Sequence, residues 1–322
     1  MTQPGSNRDI ARAVEILRDG GLVAFPTETV YGLGADAENR DALRALYAVK
    51  GRPVEHPVIV HLADARQLDD WAVEISTAAR TLASACWPGP LTLVVRRASR
   101  VPDEVTGGLD TVGLRVPAHL LAHALLEAFG GGLAAPSANR FGRVSPTTAA
   151  AVRAELGDAV PLVLDGGPCA VGVESTIVDC TMDQPRVLRV GGITVEMLGG
   201  LLGVEPPVGG ATRAPGTLAS HYAPNARVEV MDETEVAARV AALSDAGARV
   251  GVLAAHRSGL ELPRGTVTLA TPEDAEEYAR VLYATLRKAD VLGLDVVLAV
   301  PPAPEGIGRA VADRLRRAAT PN

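Results

Sequence analysis

Residues 21–34 read GLVAFPTETVYGLG, a short apolar run followed by a polar stretch with two threonines and a glutamate. The apolar run predicts a buried strand over Gly21–Phe25, and the polar stretch predicts a loop over Pro26–Gly34. An ordinary turn with satisfied hydrogen bonds is the alternative to a binding loop. The pair Gly32 and Gly34 is only a weak match to a dinucleotide-binding loop, because the third glycine is missing.

The same alternation of apolar runs and helical patterns continues through the first ~200 residues and is typical of an α/β fold. It predicts further strands at Pro57–Leu62, Leu91–Val95, Val112–Val116, Leu133–Pro136, Val160–Leu164, Thr176–Val178 and Val187–Val190. It predicts helices at Asp41–Val49 with Asn39 as N-cap, and at Ser76–Trp87, Ala118–Phe129, Thr147–Leu156 and Ile193–Leu202.

A stretch rich in Gly, Pro and Ala divides the chain. Residues 209–227 predict an interdomain linker, although Ser220-His221-Tyr222 is a polar group that a passive spacer does not need. Strands and helices then alternate again over residues 228–322 and predict a small doubly wound α/β unit. We therefore expect a first domain over residues 1–208, the linker, and a second domain over 228–322.

Composition narrows the class of protein. Of 322 residues, 47% are hydrophobic and 21% are charged, as in a globular chain. The absence of a long apolar run and of a signal peptide, with only three scattered cysteines, predicts a cytoplasmic protein without membrane association. Residues 1–208 contain 18 basic and 24 acidic side chains, a net charge of −6, so no stable nucleic-acid binding is expected.

Lysine is rare in this chain. Of 31 basic residues, 29 are arginine and two are lysine, Lys50 and Lys288. Lys50 stands two residues before Arg52, in a turn fixed by Gly51 and Pro53, and such a turn can aim both side chains outward as a phosphate clamp. Capping of the preceding helix is the alternative.

Two further segments carry polar side chains. Arg115, on a predicted strand, suits two-point capture of a carboxylate, and exposure to solvent is the alternative. The loop over residues 136–147 has the density of a binding loop, but Ser145 or Thr147 could instead cap the next helix. Because ligands of open α/β sheets lie beyond the carboxyl ends of strands, we expect these segments to meet.

Familiar catalytic motifs are missing from the sequence. It contains no P-loop, no Gly-x-Ser-x-Gly elbow and no His-Glu-x-x-His, so an ATP-using chain of this sequence must bind through other loops. His119 and His123 lie four residues apart on a predicted helix but lack a third ligand, so no direct metal ligand is predicted.

Several motifs in fixed order carry a resemblance over essentially the whole chain. The segments Pro26–Gly34, Lys50–Pro53, Pro57–His61, Pro136–Thr147 and Ser175–Asp179 resemble the threonylcarbamoyl-AMP synthase family with its YrdC-like catalytic domain. Ala214-Pro215-Gly216, Ser220-His221-Tyr222-Ala223-Pro224 and the second domain resemble the two-domain subgroup with a C-terminal Rossmann-like domain. The resemblance implies a twisted, mixed α/β sheet around a central cavity, followed by a small doubly wound unit.

The resemblance also implies a reaction. A nucleotidyltransferase of this family makes L-threonylcarbamoyladenylate from L-threonine, bicarbonate or CO₂, and ATP, and Mg²⁺ is bound with the triphosphate. The amine takes up CO₂, and the resulting carbamate attacks the α-phosphate and releases pyrophosphate. A downstream threonylcarbamoyl transferase complex then modifies the tRNA adenosine next to the anticodon.

Roles are implied residue by residue. The implied threonine site consists of Thr29, His61, Arg115 at the carboxylate, Ala135 and Ser175. The implied ATP site consists of Lys50, Arg52, His56, Thr111, Ser137, Asn139, Ser145, Arg189 and Tyr222. Lys50 and Arg52 are the implied catalytic residues, and Tyr222 is expected to close over the nucleotide from the linker. The sequence departs from the family at His56, where Asn is frequent, and at Phe141, which replaces a small polar residue and is expected to pack.

Three other functions stay open at this point. The resemblance implies a concave basic face, which would suit an RNA-binding module. The net charge of −6 over residues 1–208 and the small number of aromatic residues argue against this function. A related domain occurs in carbamoyl-phosphate-using hydrogenase-maturation proteins, but this chain lacks their additional domains. A nucleotide-sensing regulator, with residues 228–322 as effector domain, is the third alternative.

Overall fold

The computed structural model describes residues 7–210, 212–216, 221–255, 262–263 and 265–320. The chain forms two compact units, and the α/β class predicted from the sequence is confirmed in both. The first unit comprises residues 1–141, 145–170 and 174–217, and the second comprises 142–144, 171–173 and 218–322. Two short segments from the N-terminal part of the chain therefore belong to the second unit.

The first unit alternates short strands with helices. Its helices are α1 (Asn7–Arg18), α2 (Arg40–Lys50), α3 (Leu68–Trp71), α4 (Thr77–Cys86), α5 (Asp103–Thr106), α6 (Leu120–Phe129), α7 (Ala149–Leu156) and α8 (Val195–Leu202). Its strands are β1 (Val23–Phe25), β2 (Gly32–Asp36), β3 (Ile59–His61), β4 (Ala72–Val73), β5 (Leu91–Arg97), β6 (Thr111–Arg115), β7 (Leu133–Ala134), β8 (Leu162–Val163), β9 (Thr176–Asp179) and β10 (Arg186–Arg189).

These ten strands of the described residues form one mixed sheet in the order β10-β9-β5-β6-β3-β7-β2-β1-β8, with β4 paired to β5. The pairs β1–β8, β3–β6 and β5–β9 are parallel, and the other pairs are antiparallel. Both faces of the sheet are buried: Leu22 and Ala24 pack in one hydrophobic cluster, and the alternate residues Val23 and Phe25 pack in another. The mixed sheet predicted by the resemblance is confirmed.

Helix α2 shows how local sequence sets an element boundary. The Asn39 side chain accepts hydrogen bonds from the backbone N–H groups of Asp41 and Ala42, which stabilises the helix by about 1 kcal/mol. At the other end Gly51 adopts the left-handed conformation, with φ of 62°, and its N–H bonds to helix carbonyls. The predicted helix is therefore confirmed, and it delivers Lys50 at its last residue.

Two elements go beyond the sequence expectations. Helix α1, for which no element was predicted, buries Ile10, Val14 and Leu17 at helical spacing. Strand β2 lies in the stretch predicted as a loop, because its glycines give a poor strand signal. Gly34 is needed there, since a Cβ atom would lie 2.9 Å from the ring of Phe25 on the paired strand.

The second unit is the small doubly wound unit that the sequence predicts. Strands β11 (Arg227–Val230), β12 (Val250–Leu253), β13 (Val267–Ala270) and β14 (Val296–Ala299) form a parallel sheet in the order β11-β14-β12-β13. The helices are α9 (Glu233–Asp245), α10 (Ala275–Val291) and α11 (Gly308–Ala319). Gly172 lies against α10 in this unit with φ of +84°.

Candidate active site

Backbone hydrogen bonds bring three of the polar segments together. Tyr31 N–H donates to the Pro146 carbonyl at 2.9 Å, and Ala138 N–H donates to the Tyr31 carbonyl at 2.8 Å. Phe141 N–H donates to the Lys50 carbonyl at 2.8 Å. The segments at residues 26–34, 50–53 and 136–147 therefore meet, as the sequence predicts.

Strand ends place three of the predicted threonine-site residues, His61, Arg115 and Ser175. His61 and Arg115 are register partners at the carboxyl ends of the parallel strands β3 and β6. Strand β5 is antiparallel to β6 and parallel to β9, so the amino ends of β5 and β9 lie beside Arg115. Ser175, directly before β9, is thus placed by an amino end, at the opening of a strand as the sequence predicts, and the mixed sheet brings this end beside Arg115.

Arg115 is buried and held from three sides. Its side chain is 4% exposed. Nη2 donates to Glu28 Oε1 at 2.7 Å, Nη1 donates to Thr29 Oγ1 at 2.9 Å, and Nε donates to the Gly89 carbonyl at 3.3 Å. The alternative of solvent exposure is therefore wrong, and Thr29 is an immediate neighbour of the guanidinium. The ion pair with Glu28 was not predicted, since nothing in the loop sequence marks a partner so distant in the chain.

His61 is buried next to this group. Burial, and then the nearby charge of Arg115, lower the pKa of His61 to about 3, so the ring is neutral near pH 7. Its Nδ1 atom has no hydrogen-bond partner among the described residues. A buried polar atom without a partner is unusual and suits a ligand that supplies the missing bond. The Ala135 backbone lies on the other side of β3, with its N–H on the Ile59 carbonyl at 2.9 Å.

Ser175 and Arg189 form the next part of the site. Arg189 Nη2 donates to the carbonyl and to the hydroxyl of Ser175 at 2.9 and 3.1 Å. The Ser175 hydroxyl also bonds to Thr92 Oγ1 at 2.8 Å. Arg189 Nη1 reaches the Pro215 carbonyl at 2.8 Å, so the same guanidinium contacts the predicted linker.

The described start of the linker lines a groove of the first unit. Thr111, Thr92 and Pro215 are among the residues that line this narrow groove. Thr212 Oγ1 donates to Asp179 Oδ2 at 2.8 Å, which fixes the segment 212–216 beside the groove. The predicted ATP residue Thr111 thus lies near linker residues.

Lys50 does not point outward. It is 2% exposed, and its Nζ donates to the carbonyls of Ser137 and Asn139, both at 2.5 Å. Burial, and then the charge of Arg52, hold the pKa of Lys50 well below its ordinary value. The expectation of an outward clamp is wrong for Lys50, because the amine fills a space between two loop carbonyls instead.

Arg52 is also turned inward. Its Nη2 donates to the Pro57 carbonyl at 2.8 Å, and its guanidinium lies 5.6 Å from the centre of the Phe141 ring. That ring packs edge-on against His56 at 5.4 Å, so the expected packing of Phe141 is confirmed. Burial, and then Arg52, lower the pKa of His56.

Side chains of the loop over residues 136–147 make hydrogen bonds both within the loop and to Glu174 outside it. Ser145 Oγ donates to Glu174 Oε1 at 2.7 Å, and both side chains are buried. Helix α7 is capped by Thr148, which accepts from Ala151 N–H at 3.2 Å. The capping alternative for Ser145 and Thr147 is therefore wrong. Asn139 Nδ2 donates to the Arg140 carbonyl at 2.7 Å.

Tyr222 belongs to the second unit. Its ring stacks on Tyr283 at 5.6 Å, and the guanidinium of Arg314 lies 5.3 Å from its centre. Its backbone φ is 64°, which is uncommon for a tyrosine. Closure of Tyr222 over a nucleotide stays a prediction, and residues 217–220 of the predicted linker lie outside the described residues.

The two helical histidines have other partners. The His119 ring accepts from Leu121 N–H at 3.1 Å as the cap of α6, and His123 lies 3.3 Å from Glu127. Across the ranges that the structure describes, no group of three or more His, Cys, Asp or Glu side chains is placed to hold a metal ion. No helix in the described part of the chain is long and apolar enough to cross a membrane.

The fold and the site define an α/β protein of two units, with buried polar residues placed by loops of a mixed sheet. A family model described as "Telomere recombination" matches residues 15–191, and one described as "Threonylcarbamoyl-AMP synthase, C-terminal domain" matches residues 193–320. The chain belongs to the threonylcarbamoyl-AMP synthase family.

Relatives match over nearly the full chain. A threonylcarbamoyl-AMP synthase of Pyrococcus abyssi is 40% identical over 95% of this chain and 92% of its own length. One of Bacillus subtilis is 38% identical over 96% and 92%. The crystal structure of P. abyssi Sua5 complexed with L-threonine has a TM-score of 0.89 at 40% identity and covers 96% of this chain and 94% of its own.

Proposed function

We propose that this chain synthesises L-threonylcarbamoyladenylate from L-threonine, bicarbonate and ATP, with release of pyrophosphate. The threonine amine and CO₂ form a carbamate, whose oxygen attacks the α-phosphate as the bond to pyrophosphate breaks. A downstream transferase complex would take the product to the tRNA adenosine next to the anticodon. Two observations support this proposal: the chain belongs to the family, and relatives named threonylcarbamoyl-AMP synthase match it over nearly its full length.

The observation that carries the proposal is the buried group around Arg115. A fixed, nine-tenths buried guanidinium suits capture of a carboxylate. The neutral ring of His61 leaves Nδ1 to bond with a polar group of the same ligand. Thr29, Ser175 and the Ala135 backbone complete an amino-acid site, and the relative from P. abyssi has been solved with L-threonine.

ATP would lie beside the loops held by Lys50, Arg52 and Arg189. Ser137, Asn139 and Ser145 lie in or next to these loops. Thr111 lines the groove, and His56 directly precedes Pro57, which also lines it. Tyr222 would close over the nucleotide. Mg²⁺ would enter with the triphosphate, because this ion keeps several waters and few protein ligands. The chain's own contribution is then positioning and charge neutralisation.

Product analysis tests the proposal. Purified protein is incubated with ATP, Mg²⁺, threonine and bicarbonate, and with each omitted in turn. We expect a new adenylate peak and pyrophosphate only when all are supplied. Turnover that ignores threonine, or salt-dependent RNA binding without turnover, would instead support one of the alternatives.

The role of Arg115 has its own test. Arg115→Ala removes the carboxylate fork, so we expect the threonine KM to rise by at least about tenfold, while the ATP KM changes far less. Arg100→Ala is the matched control, because Arg100 pairs with Glu38 on the surface. Equal effects of Arg115→Ala on both substrates would contradict the assignment.

A further inference from the structure

Glu28 is a buried carboxylate without a role in the proposed reaction. It lies in the loop between β1 and β2, and its side chain is 11% exposed. One carboxylate oxygen accepts Arg115 Nη2 at 2.7 Å, and the other accepts the backbone N–H of Ala118 at 3.0 Å. The carboxylate therefore connects its loop both to the guanidinium and to the turn that follows β6.

The contacts of Arg115 leave a specific set of donors. A guanidinium has five N–H groups. Glu28, Thr29 and the Gly89 carbonyl take one each, from Nη2, Nη1 and Nε. Among the described residues, one N–H on each terminal nitrogen therefore stays without a partner. Two-point capture of a carboxylate uses one N–H from each of two guanidinium nitrogens.

We propose that Glu28 is a positioning residue, which holds Arg115 so that its two remaining N–H groups face the carboxylate of the amino-acid substrate. The inference rests on the proposed function, in which Arg115 binds threonine. A long side chain that is fixed before the ligand arrives loses little further freedom on binding, so pre-positioning increases affinity.

Charge alone would predict the opposite effect. Without Glu28, Arg115 would be a buried cation with no counter-ion, and a substrate carboxylate would be attracted more strongly. Positioning predicts weaker binding, because the guanidinium is then free to turn away. The two explanations therefore differ in the sign of the change in affinity.

The test compares two ligands on Glu28→Gln. Glutamine keeps the size of the side chain but replaces one of the two oxygens with an NH₂ donor. Because Arg115 and Ala118 donate to different oxygens of Glu28, only one of these two contacts can persist in the same geometry. L-Threonine and L-threoninamide, which lacks the carboxylate, are titrated by calorimetry in the absence of ATP. We expect threonine affinity to fall by at least about tenfold, which is the effect of losing one charge-assisted hydrogen bond. Threoninamide affinity should stay within about threefold of its value in the unaltered protein.

Controls separate positioning from general damage. Glu104→Gln removes a carboxylate from the ion pairs with Arg40 and Arg44 and should leave both affinities unchanged. Glu28→Asp keeps the charge but shortens the side chain by one methylene, so it should also lower the affinity for threonine and not for threoninamide. This variant replaces Glu28→Gln in the test if Glu28→Gln does not fold. An equal loss for both ligands, unchanged threonine affinity or tighter threonine binding would each overturn the inference.

The same titrations distinguish this inference from the proposed function. If the unaltered protein binds threonine and Arg115→Ala abolishes that binding, the amino-acid site of the proposed function stands whatever Glu28→Gln does. If the unaltered protein does not bind threonine in the presence or absence of ATP, the proposed function fails first, and the inference fails with it.

Discussion

Replacement of Lys50 separates two roles for a lysine beside a nucleotide. Its Nζ lies between the carbonyls of Ser137 and Asn139, at 2.5 Å from each, and the side chain is 2% exposed. Lys50→Met keeps the length of the side chain and removes both hydrogen bonds. Lys50→Arg keeps the charge but brings a planar guanidinium into a space built around a compact ammonium.

The size of the effect follows from these contacts. Each carbonyl left without a donor costs about 1–3 kcal/mol, but an ammonium no longer has to be desolvated, so the net loss of stability in Lys50→Met is about 0–3 kcal/mol. Lys50→Arg overfills the same space at a cost of about 1–3 kcal/mol. In both variants the loop carrying Ser137 and Asn139 shifts, and we expect ATP affinity to fall by about tenfold to a hundredfold, or ~1.4–2.7 kcal/mol.

Equilibrium titration with ATP measures this change, and unfolding curves measure the stability. Lys288→Met and Lys288→Arg are matched controls, because Lys288 lies on α10 of the second unit, where its Nζ donates to the Leu269 carbonyl at 3.1 Å. The decisive comparison is between the two Lys50 variants. If Lys50→Arg binds ATP within about threefold of the unaltered protein while Lys50→Met does not, the charge matters and the loop-holding argument is refuted.

Three further predictions concern pH and packing. Burial lowers the pKa of His61 to about 3 in the folded chain, against about 6.5 in the unfolded chain. The free energy of unfolding should therefore fall by up to about 1.4 kcal/mol per pH unit as the pH drops below about 6.5. His61→Gln should flatten this slope, measured by urea unfolding between pH 7 and 5. Gly172→Ala places a Cβ 2.4 Å from the Ala279 carbonyl oxygen at a φ of +84°, and it should lower stability by at least about 2 kcal/mol in thermal unfolding. The control Gly108→Ala has a similar φ of +80° but no atom within 4 Å of the new Cβ, so it should lower stability by about 1 kcal/mol. Phe141→Ala removes the ring that packs on His56 and Arg52 and should weaken ATP binding by about 0.5–1.5 kcal/mol, measured by the same titration; unchanged binding would mean that this packing does not position Arg52.

Elements with local signals were predictable from the sequence. The N-cap residue Asn39 marks the start of helix α2, and Gly51 marks its end. Helix α6 ends at Gly130, which adopts the left-handed conformation. Such signals depend on a few neighbouring residues and survive in any tertiary context. Strand β2 was not predictable in this way, because the requirement for Gly34 comes from the ring of Phe25 on a neighbouring strand.

The candidate site follows the same division. The residue types of the loops indicated binding of a carboxylate and of phosphates, and the motifs in fixed order indicated the family. The partners did not follow, since Arg115 and Glu28 are separated by 87 positions in the chain, and Lys50 and Ser137 are also separated by 87. Burial of these cations depends on how the sheet assembles, which no local pattern expresses.

The scarcity of lysine has a consequence for chemical labelling. Amine-reactive reagents attack exposed, uncharged amines, and of the two lysines Lys288 is exposed whereas Lys50 is enclosed by loop carbonyls. Lys50 is therefore modified only when its loop opens, and the rate of its modification reports the frequency of opening. Lys288 in the same sample gives the reference rate. The native chain thus carries its own probe of loop motion, without an introduced reporter group.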